Sequence, residues 1–261
     1  MRLLTAFLRR DFADDMSYRL TFAIELVDAI VLLAGVFLLS RGLGPSAIAG
    51  YDSFPFLFVG LAVNAALGVC LACFTLSVRG TRADGMLRVA LLMPTPPWVQ
   101  VLGSAAYPFL RGFVDAALHL TAAVLLGLSL SSANLPAALL VFVLGLAAAS
   151  AVGIASAAFA IVFKRGDPLL WLIGVASLVL GGVFYPVDQL PAVLRAIGWA
   201  TPVAPALAAM RPLLLDGAPM GAVWPAVAAL SAYAAAGIPL SLFLFNAAVR
   251  HARRRGTIKE T

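Results

Sequence analysis

Charge is what this sequence has least of. Of 261 residues only 11% are Asp, Glu, Lys or Arg, and lysine occurs only at Lys164 and Lys259. A water-soluble domain is about a quarter charged, so water is excluded as the solvent for most of this chain. Histidine is as scarce, with only His119 and His251, which leaves little acid–base chemistry and too few ligands for a zinc site of about four. Neither an H-E-x-x-H nor a G-x-S-x-G pattern occurs, so two common hydrolase signatures are missing. Lys164 is followed by Arg165 and Lys259 by Glu260. No G-x-x-x-x-G-K-[ST] phosphate loop exists, and ATP-driven work would need a separate soluble subunit. The two cysteines, Cys70 and Cys73, sit inside an apolar run and read as small packing residues. No cleavable targeting peptide is evident: Arg9, Arg10 and Phe12 loosely match a twin-arginine signal, but Asp11, Asp14 and Asp15 interrupt it.

What is abundant is hydrocarbon. Hydrophobic residues make up 62% of the chain, with a mean hydropathy of +1.01, and they come in long runs rather than stripes. At 1.5 Å per residue, about twenty such residues cross the bilayer core, whereas barrel strands would alternate in segments of about ten. The reading is an all-α polytopic membrane protein with six transmembrane helices, over 20–40, 54–78, 101–130, 136–163, 168–184 and 222–249. Leu4, Phe7, Leu8 and Phe12 share one helical face, so residues 1–18 are expected to form an interfacial amphipathic helix. In span 4, Gly145, Ala149, Gly153 and Ala157 form a small-residue stripe suited to close helix packing. Pro239 is expected to kink the last span. Residues 184–221 are too apolar for a solvated loop, yet Pro186, Pro191, Pro202, Pro205 and Pro212 prevent one long helix. Short helices in a re-entrant hairpin satisfy both constraints.

Topology follows from the cations. Six spans place Arg2, Arg9, Arg10, Arg19, Arg79, Arg82, Arg88, Lys164, Arg165 and the Arg250-to-Lys259 tail on one side, against only Arg41, Arg195 and Arg211 on the other. Both termini and the segment 79–100 are therefore expected to be cytoplasmic, and the hairpin 184–221 to face outward. The segment 79–100 is polar and basic between two apolar runs. Gly85 to Leu92 can form about two helical turns before Pro94, Pro96 and Pro97. Nucleic acid is not an expected partner, because the basic residues are spread along a rim and no binding module accompanies them.

Ionisable residues inside spans are costly and need partners. Glu25 and Asp28 lie in span 1, and Arg111, Asp115 and His119 lie four apart on one face of span 3. Arg111 is expected to pair with Asp115 and, across the gap, with Glu25 or Asp28. The cluster serves helix-to-helix packing or, alternatively, a proton relay or substrate contact.

Two motifs carry a resemblance. After span 2 the chain reads Asp84-Gly85-Met86-Leu87-Arg88 and then Leu91-Leu92-Met93-Pro94-Thr95-Pro96. Before the last span it reads Phe184-Tyr185-Pro186 and Leu190-Pro191, followed by Pro202 or Pro205 and Arg211. With the span order and the interfacial helix, these make the whole chain similar to the permease subunits of type-2 (ABC-2) ABC exporters. Met86 and Arg88 depart from the family's usual Thr and Glu, and Arg88 reverses the local charge. The resemblance implies a multi-pass permease of a bacterial-type inner membrane. It implies a dimer, of identical chains in preference to a mixed pair, docked on two ABC ATPase subunits that bind ATP and Mg. Under it, Arg82, Asp84, Gly85, Met86, Leu87, Arg88, Leu91 and Leu92 form the coupling helix. Phe184, Tyr185, Pro186, Leu190 and Pro191 belong to an outer gate or, alternatively, anchor the hairpin in the bilayer. No catalytic residue, resident cofactor or metal is expected in this chain. The cargo expected is amphipathic or apolar, since span faces with so little charge cannot neutralise a salt-like one. The alternative is an ion-coupled secondary transporter using the intramembrane carboxylates, although only one interrupted region is present where such transporters often show two.

Overall fold

The computed structural model describes residues 30–31, 34–42, 48, 50–83, 97–163 and 168–254. Among these the architecture is helical, with no strand beyond an isolated bridge between Ile48 and Tyr51. The helices are α1 (Ser53–Ala83), α2 (Pro97–Leu125), α3 (Leu135–Val162), α4 (Pro168–Leu180), α5 (Ala192–Trp199), α6 (Val203–Leu215) and α7 (Trp224–Arg254), with 3₁₀ turns at Val187–Gln189 and Met220–Val223. Residues 34–42 are helical as well. The interfacial helix expected over 1–18 lies outside the described residues.

The protein is organised around α3, which is apolar on all sides and is the most buried of the three long apolar helices, with Leu135, Leu139, Leu140 and Val143 near its start left exposed. α1 and α7 pack along it and α6 crosses it, whereas α2 packs mainly on α1. One hydrophobic cluster joins α1, α3 and α6 near the Ser53 end of α1, including Phe56, Leu67, Leu146 and Leu207. A second joins α1, α3 and α7 toward the Ala83 end, with Phe74, Ile154, Ile161 and Val249. Local chemistry starts α3 where it starts: the Asn134 side chain accepts from Ala137 N at 3.3 Å, and a proline occupies the first turn, as a helix N-terminus favours. The stripe on α3 meets neighbours at close range, and Gly153 faces the carbonyls of Cys70 and Leu71 on α1.

Several boundaries differ from the hydropathy reading. α1 does not stop at 78 but continues through Arg79 and Arg82 to Ala83, because a backbone ladder does not end where lipid does. α2 is already helical at Pro97 and ends at Leu125, not 130. Gly127, at φ +103, closes it with Leu128 N bonding Ala123 O at 2.9 Å and Gly127 N bonding Val124 O at 3.1 Å, the Schellman pattern that needs a residue in the left-handed region. α4 has 13 residues and ends at Leu180 rather than 184. That is about 20 Å at 1.5 Å per residue, shorter than a bilayer core. Among the described residues three helices are long and apolar enough to cross a membrane: Ser53–Gly80, Leu135–Val162 and Met220–Ala252. The bent pair α5 and α6, at 82° to each other, makes up to four.

Candidate functional site

Between α4 and α7 the chain makes a set of short helices punctuated by proline. Pro186 precedes the 3₁₀ turn, Pro191 precedes α5 and Pro202 precedes α6, each at a position where a missing N–H costs no helical bond. Tyr185 donates its hydroxyl to Val179 O, and Leu190 N bonds Val187 O at 3.1 Å. Phe184 and Pro191 are exposed, whereas Tyr185, Pro186 and Leu190 are half-buried. At the far end of α5, Tyr233 of α7 donates to Trp199 O at 2.9 Å, tying the hairpin to the last helix.

The chemistry concentrates at Arg211 in α6. The residue is only 7% exposed. Its Nη2 donates to Val183 O at 2.9 Å and to Phe56 O at 3.3 Å, and its guanidinium carbon lies 3.5 Å from the centroid of the Phe56 ring. Nε has no hydrogen-bond partner, and no carboxylate pairs with this cation among the described residues. Burying a lone cation costs several kcal/mol. Charge-assisted bonds to two carbonyls and a desolvated cation–π contact of about 2 kcal/mol offset part of it.

A second contact lies beside the first. Tyr51, just before α1, donates to Asp216 Oδ2, just after α6, at 2.5 Å, and its ring stacks on Phe56 with centroids 6.4 Å apart. Burial and the bond to Asp216 push the Tyr51 phenol up to about 12. Because the folded value is raised, the stabilisation is fully present below the ordinary phenol value near 10 and is lost as pH climbs through 12. Tyr51→Phe is expected to lower stability by about 1 kcal/mol and to remove this alkaline sensitivity, measured as thermal unfolding in detergent between neutral pH and the alkaline limit.

Of the intramembrane ionisable residues, Glu25 and Asp28 lie outside the described residues. Arg111 Nε stands 3.8 Å from Asp115 Oδ2. His119 shares that face of α2, but its Nδ1–H donates to the Asp115 backbone carbonyl at 2.7 Å and not to the carboxylate. Arg111→Ala is expected to reduce the amount of folded, extractable protein. Normal yield with lost transport would instead assign the pair to the transport path. Cys70 and Cys73 are free thiols, and Cys73 donates to Cys70 O at 3.3 Å. Among the described residues no group of His, Cys, Asp and Glu could hold a metal ion.

Of the expected coupling helix, Arg82 lies in the last turn of α1, while Asp84, Gly85, Met86, Leu87, Arg88, Leu91 and Leu92 lie outside the described residues. Sequence reading did not place Arg211 among the site residues: it entered only as a topological cation and as the last residue of the motif before the final span. A lone arginine inside Val203–Leu215 was the available signal. A further feature no motif announces is a cavity of about 300 Å³ between α1, α2, α3 and α6, lined by Val59, Phe113, Leu120, Phe142 and Met210 among other apolar side chains. Such walls suit hydrocarbon and offer nothing to an ion.

A family model described as ABC-2 type transporter matches residues 2–215. No curated protein matches the sequence.

Proposed function

This chain belongs to the ABC-2 type transporter family and is a membrane permease of an ABC-type transporter, and from that premise we propose that it is the export permease for an amphipathic or apolar cargo such as a drug, a lipid or a lipid-linked glycan. Permeases of this family work with ABC ATPase subunits. In the proposed assembly two copies of this chain dock on two ATPase subunits, which bind ATP and Mg. Six spans leave both termini and the 79–100 segment on the cytoplasmic side of a bacterial-type inner membrane, in keeping with the lopsided Lys and Arg distribution.

One observation carries this reading: α1 runs unbroken for 31 residues from Ser53 to Ala83, and its Ala83 end leads into the basic segment. A rigid rod with a charged lever at one end converts movement of a cytoplasmic partner into tilt within the bilayer. Closure of the ATPase pair moves residues 82–92, the spans tilt, and a path between the two permeases opens outward past the 184–191 segment. The scarcity of charge on the spans supports an apolar cargo.

The test is co-expression with the ABC ATPases of the source genome, followed by co-purification and ATP hydrolysis in liposomes. The wild-type chain is expected to retain one ATPase and to alter its hydrolysis rate. A combined Arg82→Ala, Asp84→Ala, Arg88→Ala variant is expected to weaken retention and abolish that alteration, while remaining in the membrane fraction. Unchanged docking and unchanged hydrolysis in the variant would remove the coupling assignment.

A further inference from the structure

Three elements meet on one cation. Arg211 belongs to α6, Phe56 to α1, and Val183 to the turn that leaves α4 for the hairpin. A single nitrogen, Nη2, bridges the carbonyls of Phe56 and Val183 at 3.3 and 2.9 Å, while the guanidinium carbon lies over the Phe56 ring, 3.5 Å from its centroid. The fit depends on Gly60, one turn further along α1. A Cβ there would collide with Val183 O and stand 2.8 Å from Arg211 Nη2. At this point α1 touches the turn through backbone, with no compliant side chain between them. Val183 is wholly buried.

We propose that Arg211 is a positioning residue: it fastens the Ser53 end of α1 to both the 181–185 turn and α6, so that tilt imposed at the Ala83 end reaches the outer hairpin. This rests on the coupling reading above. An apolar seam alone could slide, because dispersion contacts are many and individually weak. A charge-assisted bond to a buried carbonyl cannot be exchanged for water without leaving polar groups unpaired. The contact therefore holds through a tilt, and the hairpin follows α1. The arrangement also accounts for a buried arginine that no carboxylate neutralises among the described residues. A leucine would pack more cheaply, but it would join none of these three elements directionally.

The experiment uses the permease–ATPase complex in liposomes, with Cys70→Ala, Cys73→Ala and Asp188→Cys as the parent. Asp188 is exposed in the 3₁₀ turn of the hairpin, and its labelling by a membrane-impermeant maleimide is followed with and without ATP and vanadate. The parent is expected to show a nucleotide-dependent change in labelling rate of about threefold or more, as a shifted two-state equilibrium gives. Arg211→Met and Gly60→Ala are expected to hold the ATPase and lose that change, with Arg211→Lys recovering part of it. Variants that keep the full nucleotide-dependent change would overturn the proposal, as would a parent that holds the ATPase yet shows none. Loss of all three variants from the membrane fraction would assign the contact to folding alone and overturn it too. A parent that fails to hold any ATPase overturns the coupling reading itself, and this inference with it.

Discussion

Replacing Gly217 with alanine is expected to be among the most damaging single-methyl additions in the chain. Gly217 follows α6 at φ +66, and a Cβ there would collide with the backbone carbonyl of Ser132 in the turn before α3. The left-handed conformation costs an L-residue about 1–2 kcal/mol, and overpacking against a backbone atom that cannot rotate away costs about 1–3 kcal/mol more. The expected total is about 2–5 kcal/mol. The same corner holds Asn134, whose amide donates to Ala218 O at 3.1 Å and whose N–H donates to Leu213 O at 2.8 Å. Pushing the two turns apart therefore also strips the cap from α3. Thermal unfolding of the detergent-purified protein measures the loss. Gly127→Ala is the matched comparison, since Gly127 has φ +103 but nothing within 4 Å of the added methyl, and it should incur the backbone cost alone. Equal losses for the two variants would show that contact with Ser132 contributes nothing.

Gly153→Ala is expected to separate α1 from α3. A Cβ on Gly153 would stand 2.6 Å from Leu71 O, 2.8 Å from Cys70 O and 3.0 Å from the Phe74 ring. Two of these are backbone atoms of a continuous helix, so the methyl can be accommodated only by moving a whole helix. A loss of about 2–3 kcal/mol, at the upper end of overpacking costs, is expected. Gly68→Ala supplies the contrast. Gly68 sits on α1 with nothing within 4 Å, and replacing a helical glycine by alanine gains about 0.5–1 kcal/mol. If both substitutions behaved alike, the close crossing at Gly153 would not be what holds these helices together.

The parts of the fold that were readable in sequence are those set by local chemistry. Span 4 was expected over 136–163 and α3 occupies Leu135–Val162, since its cap, its proline and its apolar run all lie within the helix or beside it. The closeness of Arg111 and Asp115 was readable for the same reason, four residues being one helical turn. Hydropathy reports where an apolar run ends and not where a helix ends, so α1 ran past 78 through Arg79 and Arg82. It also hid the end of α2, because Leu126, Leu128 and Leu130 are as apolar as the helix they follow, and only the positive φ of Gly127 breaks it. Arg211 was illegible as a site because its partners, Phe56 and Val183, are 155 and 28 residues away. The cavity is drawn from four helices, and no periodicity in any one of them announces it. The bond from His119 to a backbone carbonyl shows the converse limit: a shared helix face does not say which atom of Asp115 the ring meets.

Coupling as proposed requires residues 82–92 to be presented to a partner in the cytoplasm. The most direct measurement is Ala90→Cys, a position not assigned a docking contact, in the Cys70→Ala, Cys73→Ala background, labelled with a membrane-impermeant maleimide in right-side-out and inside-out vesicles, with and without the co-expressed ATPase. Labelling only in inside-out vesicles, and protection there when the ATPase is bound, is the predicted result. Labelling from the outside, or no labelling from either side, would contradict it.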